Sequence, residues 1–459
     1  MPFTSFGLHP DLLKGIRDLG FTRPTPIQSE AIPAAMSGRD LLACAQTGSG
    51  KTVAFLLPML HRMLSTERRT ARALILTPTR ELAAQVLEDF RGLAKHTPVS
   101  GAAVYGGVSM GPQEQTFRRG VDVIVATPGR LLDHLSRPYA KLDGIEHLVL
   151  DEADRMLDMG FLPDIKRILA RIPRQRQTLF FSATMPAEIG RLAGEMLKNP
   201  VTIALQRQSA PAAGITQAAY PVSQHLKATL LVELLKQGVM PQALVFTRTK
   251  HRANRLAEHL SKSGVKAERI HGNRSQSQRT QALAGFKSGR HTVLVATDLA
   301  ARGIDIDALS HVINFDVPAA PDDYIHRVGR TGRAEMTGEA FTFVAPDEEA
   351  DLRAIERAVR TTLPRVTVRG FDYRAAAPPL DIPHAQRIAE IRQRKAAERE
   401  RAKAKAARRP PATFAPALSS PAPGSASRGP APSSPSARHA RTRTSASRVR
   451  QSRSRYGTR

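Results

Sequence analysis

Residues 45–52 read AQTGSGKT, a run suited to holding the phosphates of a nucleotide. Gly48 and Gly50 let backbone N–H groups approach phosphate oxygens closely, and a helix starting just beyond aims its positive N-terminus at them. Lys51 can reach the β- and γ-phosphates, and the Thr52 hydroxyl can bind Mg²⁺. Ala45, Gln46, Thr47 and Ser49 complete the loop, although the general pattern has glycine where Ala45 stands. A glycine-rich turn with no ligand is the plain alternative. Further along, residues 151–154 read DEAD, directly after the apolar run His147–Leu150. A carboxylate at the C-terminal end of a strand can reach Mg²⁺ on a bound phosphate. Asp151 fits that contact, and Glu152 beside it fits a base that orients and deprotonates an attacking water.

Such residues need a rigid frame. Short runs of Val, Ile and Leu alternate with longer amphipathic stretches, the pattern of β-α units around a parallel sheet. One series of strands is predicted near Leu41–Ala45, Ala73–Thr77, Val121–Ala126, His147–Leu150 and Thr178–Phe181, with a helix from Arg80 to about Leu93. A second series falls near Ala243–Phe246, Ala267–Ile270, Thr292–Ala296, His311–Phe315 and Ala340–Val344. Gln206–Gly214, small, polar and non-periodic, reads as a linker between two α/β lobes. The boundaries expected are residues 1–205 for the first lobe, 206–216 for the linker, 217–370 for the second lobe and 371–459 for a tail.

The net charge of +27 favours a polyanionic partner such as nucleic acid. Residues 376–459 hold 19 Lys/Arg against 4 acids, and no acid follows Glu400. His384–Arg409 reads as a solvated helix with too few apolar positions to bury a wide face. Beyond Pro410, Pro, Ala, Ser and Arg predict disorder, and the charge suits electrostatic tethering of nucleic acid, with a solvated or protein-binding tail as the alternative. The single cysteine, Cys44, excludes an internal disulfide, and its setting gives no zinc spacing. The N-terminus lacks a secretion signal, and no run reaches the roughly 18 apolar residues of a membrane helix. A cytoplasmic protein is expected.

The segments AQTGSGKT, PTRELA (Pro78–Ala83), TPGR (Thr127–Arg130), DEAD and SAT (Ser182–Thr184) occur in a telling order. ATDLAARGID (Ala296–Asp305) and HRVGRTGR (His326–Arg333) follow. This series resembles the DEAD-box ATP-dependent RNA helicases, and looks most like their bacterial RhlE-like branch. The family's own phosphate loop begins with alanine. The resemblance implies two tandem RecA-like α/β lobes, each with a parallel sheet, and a monomeric core that hydrolyses ATP with Mg²⁺ as RNA binds. Phe21 and Gln28 lie in FTRPTPIQ, similar to the family's adenine-reading motif, and an amide can pair with the N6/N7 edge of adenine. Phe3 has the spacing of the aromatic that stacks on the base, with an N-terminal anchor as the alternative.

In the second lobe the resemblance assigns Arg330 and Arg333 to the γ-phosphate region and Asp305 to the ribose. It gives His326 and Arg327 a place at the interface between lobes. RNA contacts are implied for Pro78, Thr79, Arg80, Gly106, Gly107, Thr127 and Arg130, and for Thr249, Gly272 and Thr297 of the second lobe. These would grip phosphates and sugars without reading sequence. Ser182 and Thr184 fit the motif that couples the phosphate site to closure of the lobes. An ATP-gated RNA clamp that rarely unwinds, or a P-loop ATPase acting on DNA or protein, are the rival readings.

Overall fold

Thirteen short strands among the described residues carry the architecture. They are β1 (Leu41–Cys44), β2 (Ala73–Leu76), β3 (Gly101–Val104), β4 (Val123–Ala126), β5 (His147–Leu150), β6 (Gln177–Ser182) and β7 (Val201–Ala204) in the first lobe. The second lobe has β8 (Ile215–Pro221), β9 (Ala243–Phe246), β10 (Ala267–Ile270), β11 (Val293–Ala296), β12 (His311–Asn314) and β13 (Gly338–Val344). The computed structural model describes residues 2–45, 48–65, 71–204, 214–238, 240–301, 309–332 and 337–376. Residues 1–383 form one compact unit containing both sheets. The second unit, 384–459, and the tail reading placed on it lie outside the described residues.

Both sheets are parallel throughout, in the orders β3-β4-β2-β5-β6-β1-β7 and β10-β11-β9-β12-β13-β8. Every residue of β2, β4, β5, β6, β9, β11 and β12 is buried, as a sheet with both faces covered requires. Side chains alternate between the faces. In the first lobe Ala73, Ile75, Val123, Val125 and Val149 enter one core, and Leu74, Leu76, Ile124, Leu148 and Leu150 enter the other. The helix Arg80–Leu93 buries Leu82, Ala83, Val86, Leu87, Phe90 and Leu93, one face of a 3.6-residue period. Its start is fixed by Thr79, whose hydroxyl accepts from the Leu82 N–H at 3.2 Å.

The first six strands of lobe 1 and the six of lobe 2 share one order, so positions correspond: β1 with β8, β2 with β9, β3 with β10, β4 with β11, β5 with β12. The match extends to detail. Thr79 caps the helix after β2, and Thr249 caps the helix after β9, accepting from Arg252 N–H at 3.2 Å. The correspondence fails where the nucleotide chemistry sits. Lys51 and Lys227 each open the helix after their lobe's β1-type strand. Lys227 is fully buried and bonds Glu348 and the Phe315 and Phe343 carbonyls (3.0 and 2.9 Å), so the lysine at this place in lobe 2 is satisfied within its own lobe.

β8 takes in Ile215 and Thr216, pairing them with Gly338 and Glu339 of β13, so the expected linker runs two residues into the sheet. Among the described residues no helix is long and apolar enough to cross a membrane.

Candidate nucleotide and RNA site

The phosphate loop leaves β1 at Ala45, whose N–H donates to the Ser182 carbonyl at 3.0 Å. Gly48 and Gly50 have φ of +80° and +91°, a left-handed backbone that glycine adopts without strain. At Gly50 a Cβ would also stand 2.4 Å from the Gln28 amide nitrogen. Ser49 lies between them, and Lys51 and Thr52 open the helix Lys51–Leu64. Gln46 and Thr47 lie outside the described residues.

Three buried polar atoms converge beyond this loop without a hydrogen-bond partner among the described residues: Lys51 Nζ, Asp151 Oδ1 and Glu152 Oε2. Such groups are costly when buried unless a ligand supplies the partner. Burial pushes the Asp151 carboxyl up to about 6, with the Lys51 ammonium pulling the other way and the Glu152 charge adding to the rise. Glu152 has φ +52° and ψ +52°, a left-handed conformation that a non-glycine residue keeps only where its surroundings impose it. Its turn carries the chain from β5 into the helix Ala153–Asp158.

Asp154 joins this turn to the SAT segment. Its Oδ2 accepts from the Thr184 N–H at 2.7 Å, and its own N–H donates to Ser182 Oγ at 3.3 Å. Ser182 Oγ in turn donates to the Thr184 carbonyl at 2.6 Å. Both coupling candidates are thus fastened to the acidic turn, through an aspartate that sequence reasoning left without a role.

Gln28 is more committed than the sequence suggested. Its Oε1 accepts from Thr25 N–H at 3.0 Å and its Nε2 donates to the Gly50 carbonyl at 3.0 Å. One further bond per atom remains for a base, so the same amide ties the adenine-type motif to the phosphate loop. Phe21 is 40 % exposed and presents its ring to solvent. Phe3 is only 4 % exposed and packs edge-on to Phe6 at 6.1 Å, so it is the N-terminal anchor and not a free stacking surface.

A small pocket between the lobes is lined by Arg155 of lobe 1 and by Asp298, Asp323, His326, Arg327 and Arg330 of lobe 2. Arg330 is therefore placed at the lobe boundary; Arg333 and Asp305 lie outside the described residues. Arg327 is tied firmly into its own lobe. Its guanidinium is bidentate to Asp298 (2.5 and 2.8 Å), donates to Asn314 Oδ1 and the Asp316 carbonyl, and lies over the Phe246 ring at 5.1 Å. All of these partners belong to lobe 2, and Arg327 lines the boundary pocket beside His326.

The RNA candidates group by lobe. In lobe 1, Pro78, Thr79 and Arg80 follow β2, Gly106 and Gly107 follow β3, and Thr127 and Arg130 follow β4. The Arg80 guanidinium lies so close to Gly107 that a Cβ there would be 1.9 Å from Nη1. In lobe 2, Thr249, Gly272 and Thr297 follow β9, β10 and β11, the corresponding strands. The two sets occupy corresponding positions because the fold is repeated. A clasp between lobes was not foreseen: Arg279 Nε donates to Glu81 Oε1 at 2.7 Å, and Gln276 Nε2 donates to the same oxygen at 3.1 Å. Glu81 stands in PTRELA, but nothing in the sequence pairs it with a helix so distant along the chain.

A phosphate cradle on one parallel-sheet lobe, facing a second lobe of the same strand order, is the plan of a helicase-type ATPase core. The family profile for DEAD/DEAH box helicases matches residues 25–192, and that for the helicase conserved C-terminal domain matches residues 226–335. The chain belongs to the DEAD-box family of ATP-dependent RNA helicases. It is 43 % identical over 364 residues to the DEAD-box ATP-dependent RNA helicase CshA of Bacillus subtilis, covering 79 % of this chain and 74 % of that one. It is 44 % identical over 358 residues to the Listeria monocytogenes CshA, covering 78 % and 69 %. These matches carry the family without selecting the RhlE-like branch. Saccharomyces cerevisiae Dbp5 bound to RNA and ADP BeF3 is similar in structure, with TM-score 0.73, 34 % identity, and 80 % of this chain and 95 % of that one covered.

Proposed function

We propose that this protein couples ATP hydrolysis to closure of its two lobes on a single RNA strand, and so separates short duplexes or remodels RNA–protein complexes. The observation that carries the reading is the trio of buried, unpartnered groups, Lys51, Asp151 and Glu152, facing a second lobe that brings Arg330 to the boundary. In this reading the loop residues Ala45–Thr52 hold the triphosphate, Lys51 neutralises its β- and γ-oxygens, and Phe21 and Gln28 hold adenine, with Asp305 at the ribose. Glu152 orients and deprotonates the attacking water. Arg330 and Arg333 complete the site on closure, a contribution of about 10³–10⁵ in rate for such arginines.

The orphaned Asp151 oxygen fits Mg²⁺, which Asp151 and Thr52 would hold. Bound there, the ion would neutralise charge on the phosphate oxygens. Asp154, Ser182 and Thr184 transmit the state of the acidic turn, since a shift at Asp154 is felt at both SAT residues. The RNA strand lies across Pro78, Thr79, Arg80, Gly106, Gly107, Thr127 and Arg130 and across Thr249, Gly272 and Thr297. The similarity to RNA-bound Dbp5 supports that path. The domain limits proposed are 1–205 and 217–370 around a linker, adjusted so that lobe 2 starts at Ile215. We assign the protein to the cytoplasm with a monomeric core, and its cationic tail to electrostatic tethering of RNA.

Arg330→Ala separates binding from hydrolysis. ATP binding should stay within about twofold while RNA-stimulated hydrolysis falls by about 10³ or more. An equal loss in both would refute the division of the site between lobes.

A further inference from the structure

A buried polar relay in lobe 1 has no part in the chemistry above. His134 is fully buried, and both of its ring nitrogens are bonded. Nδ1 meets the Tyr139 hydroxyl at 2.9 Å, and Nε2 meets Gln113 Oε1 at 3.2 Å. Gln113, also buried, donates from Nε2 to the Tyr105 carbonyl at 3.0 Å.

The direction of every bond follows from the last one. A carbonyl only accepts, so the Gln113 NH₂ must face Tyr105 and its Oε1 must face His134. That oxygen also only accepts, so His134 carries its proton on Nε2. Nδ1 then accepts, and the Tyr139 hydroxyl donates. Burial first, with the Arg130 charge adding to it, holds the His134 imidazole below its usual range, which suits this neutral form.

The relay ends at Tyr105, immediately before Gly106 and Gly107. On the other side of the glycine pair, Arg130 Nη1 donates to the Val108 carbonyl at 3.1 Å. The loop 105–108 is therefore pinned at one shoulder by Arg130 and at the other by Gln113, which His134 of the segment after β4 holds in turn. His134 and Arg130 lie on one helix, Pro128–Leu135, which begins directly after Thr127. Gln113 lies in the helix that follows the glycines, Met110–Arg119.

We propose that His134 and Gln113 are positioning residues that hold the glycine pair in register with Thr127 and Arg130, so that both segments meet one RNA strand together. The proposal rests on the reading of those four residues as RNA contacts. Neither positioning residue touches RNA or nucleotide. The polarity of the chain makes the role specific: the amide at 113 accepts from His134 and donates to Tyr105 at once, as an apolar side chain or an ionised carboxylate cannot.

Gln113→Glu, assayed at a pH where the carboxyl is ionised, tests this, because a carboxylate keeps the His134 bond and cannot donate to Tyr105. The RNA concentration giving half-maximal ATPase should rise about five- to tenfold, the scale of one lost hydrogen bond. The maximal rate at saturating RNA should hold within about twofold. Gln113→Asn, one methylene shorter with the same polarity, should fall between wild type and Gln113→Glu. Nitrogen-15 NMR of the wild-type imidazole should report the neutral Nε2–H form. Unchanged RNA half-saturation in Gln113→Glu, an equal fall in maximal rate, or the other tautomer would overturn the proposal. Arg130→Ala is run beside it: if that variant also leaves RNA half-saturation unchanged, the RNA-contact reading itself fails. If it shifts and Gln113→Glu does not, only the positioning role fails. Thermal melts identify any variant that does not fold, and Gln113→Met, which removes both bonds without charge, then replaces it with the same expected rise.

Discussion

Removing the Glu81 carboxylate should weaken closure of the lobes without touching the nucleotide site. Glu81 lies in lobe 1, and its Oε1 accepts from both Arg279 and Gln276 of lobe 2 at 2.7 and 3.1 Å. The Glu81 and Arg279 side chains are only 9 % and 11 % exposed, so water screens this contact little. Hydrogen bonds to charged groups contribute about 1.5–3 kcal/mol each. When the lobes part, both partners regain water, and Arg279 retains the Ala300 carbonyl at 3.3 Å. The net loss to the closed state in Glu81→Ala is therefore about 2–3 kcal/mol, or roughly 30- to 150-fold in the closing equilibrium. The assay is RNA-stimulated ATP hydrolysis across RNA concentration, for Glu81→Ala, Arg279→Ala and the double variant. Half-saturation should rise by about that factor in each single variant, and the double variant should add little. Fully additive losses, or half-saturation within twofold of wild type in Glu81→Ala, would refute the clasp.

Further predictions concern the coupling segment, the glycine pair and the two phenylalanines. Ser182→Ala removes a hydroxyl that bridges Asp154 N–H and the Thr184 carbonyl, so strand separation should drop at least tenfold while ATP binding stays within threefold; parallel losses in a filter-binding assay would contradict it. Gly107→Ala places a Cβ against Arg80 at φ +80°, and RNA affinity measured by fluorescence anisotropy should fall by about tenfold or more. Phe3→Ala should lower stability by about 3–5 kcal/mol in chemical denaturation, as for a buried core ring. Phe21→Ala should leave stability within about 0.5 kcal/mol and weaken ATP binding instead.

What could be read from the sequence was whatever depends on local pattern. Apolar runs such as HLVL and VLVA are buried on both faces and announced their strands residue for residue or nearly so. The helix Arg80–Leu93 was visible from its amphipathic pattern. Three strands were missed for stated physical reasons. β3 (GAAV) is an edge strand of small residues, β7 (VTIA) is an edge strand with Thr202 and Ala204 exposed, and β8 (ITQAAYP) mixes polar residues into its run. The phosphate loop and the acidic pair were legible because the chemistry demands contiguous residues. The Glu81–Arg279 clasp, the Asp154 bridge to SAT and the His134–Gln113 relay were not, since each joins positions that only the fold brings together. The partners of Arg327 within lobe 2 were hidden for the same reason: a motif gives the order of residues and not the contacts that tertiary structure assigns.

RNA is expected to gate hydrolysis through Glu152. ATP turnover by the full chain should be measured without nucleic acid, with single-stranded RNA and with single-stranded DNA, for the wild type and Glu152→Gln. Turnover that rises with RNA well above its rise with DNA, and collapses in Glu152→Gln while ATP binding persists, is the predicted result. Turnover indifferent to RNA, or a Glu152→Gln variant as active as the wild type, would contradict it.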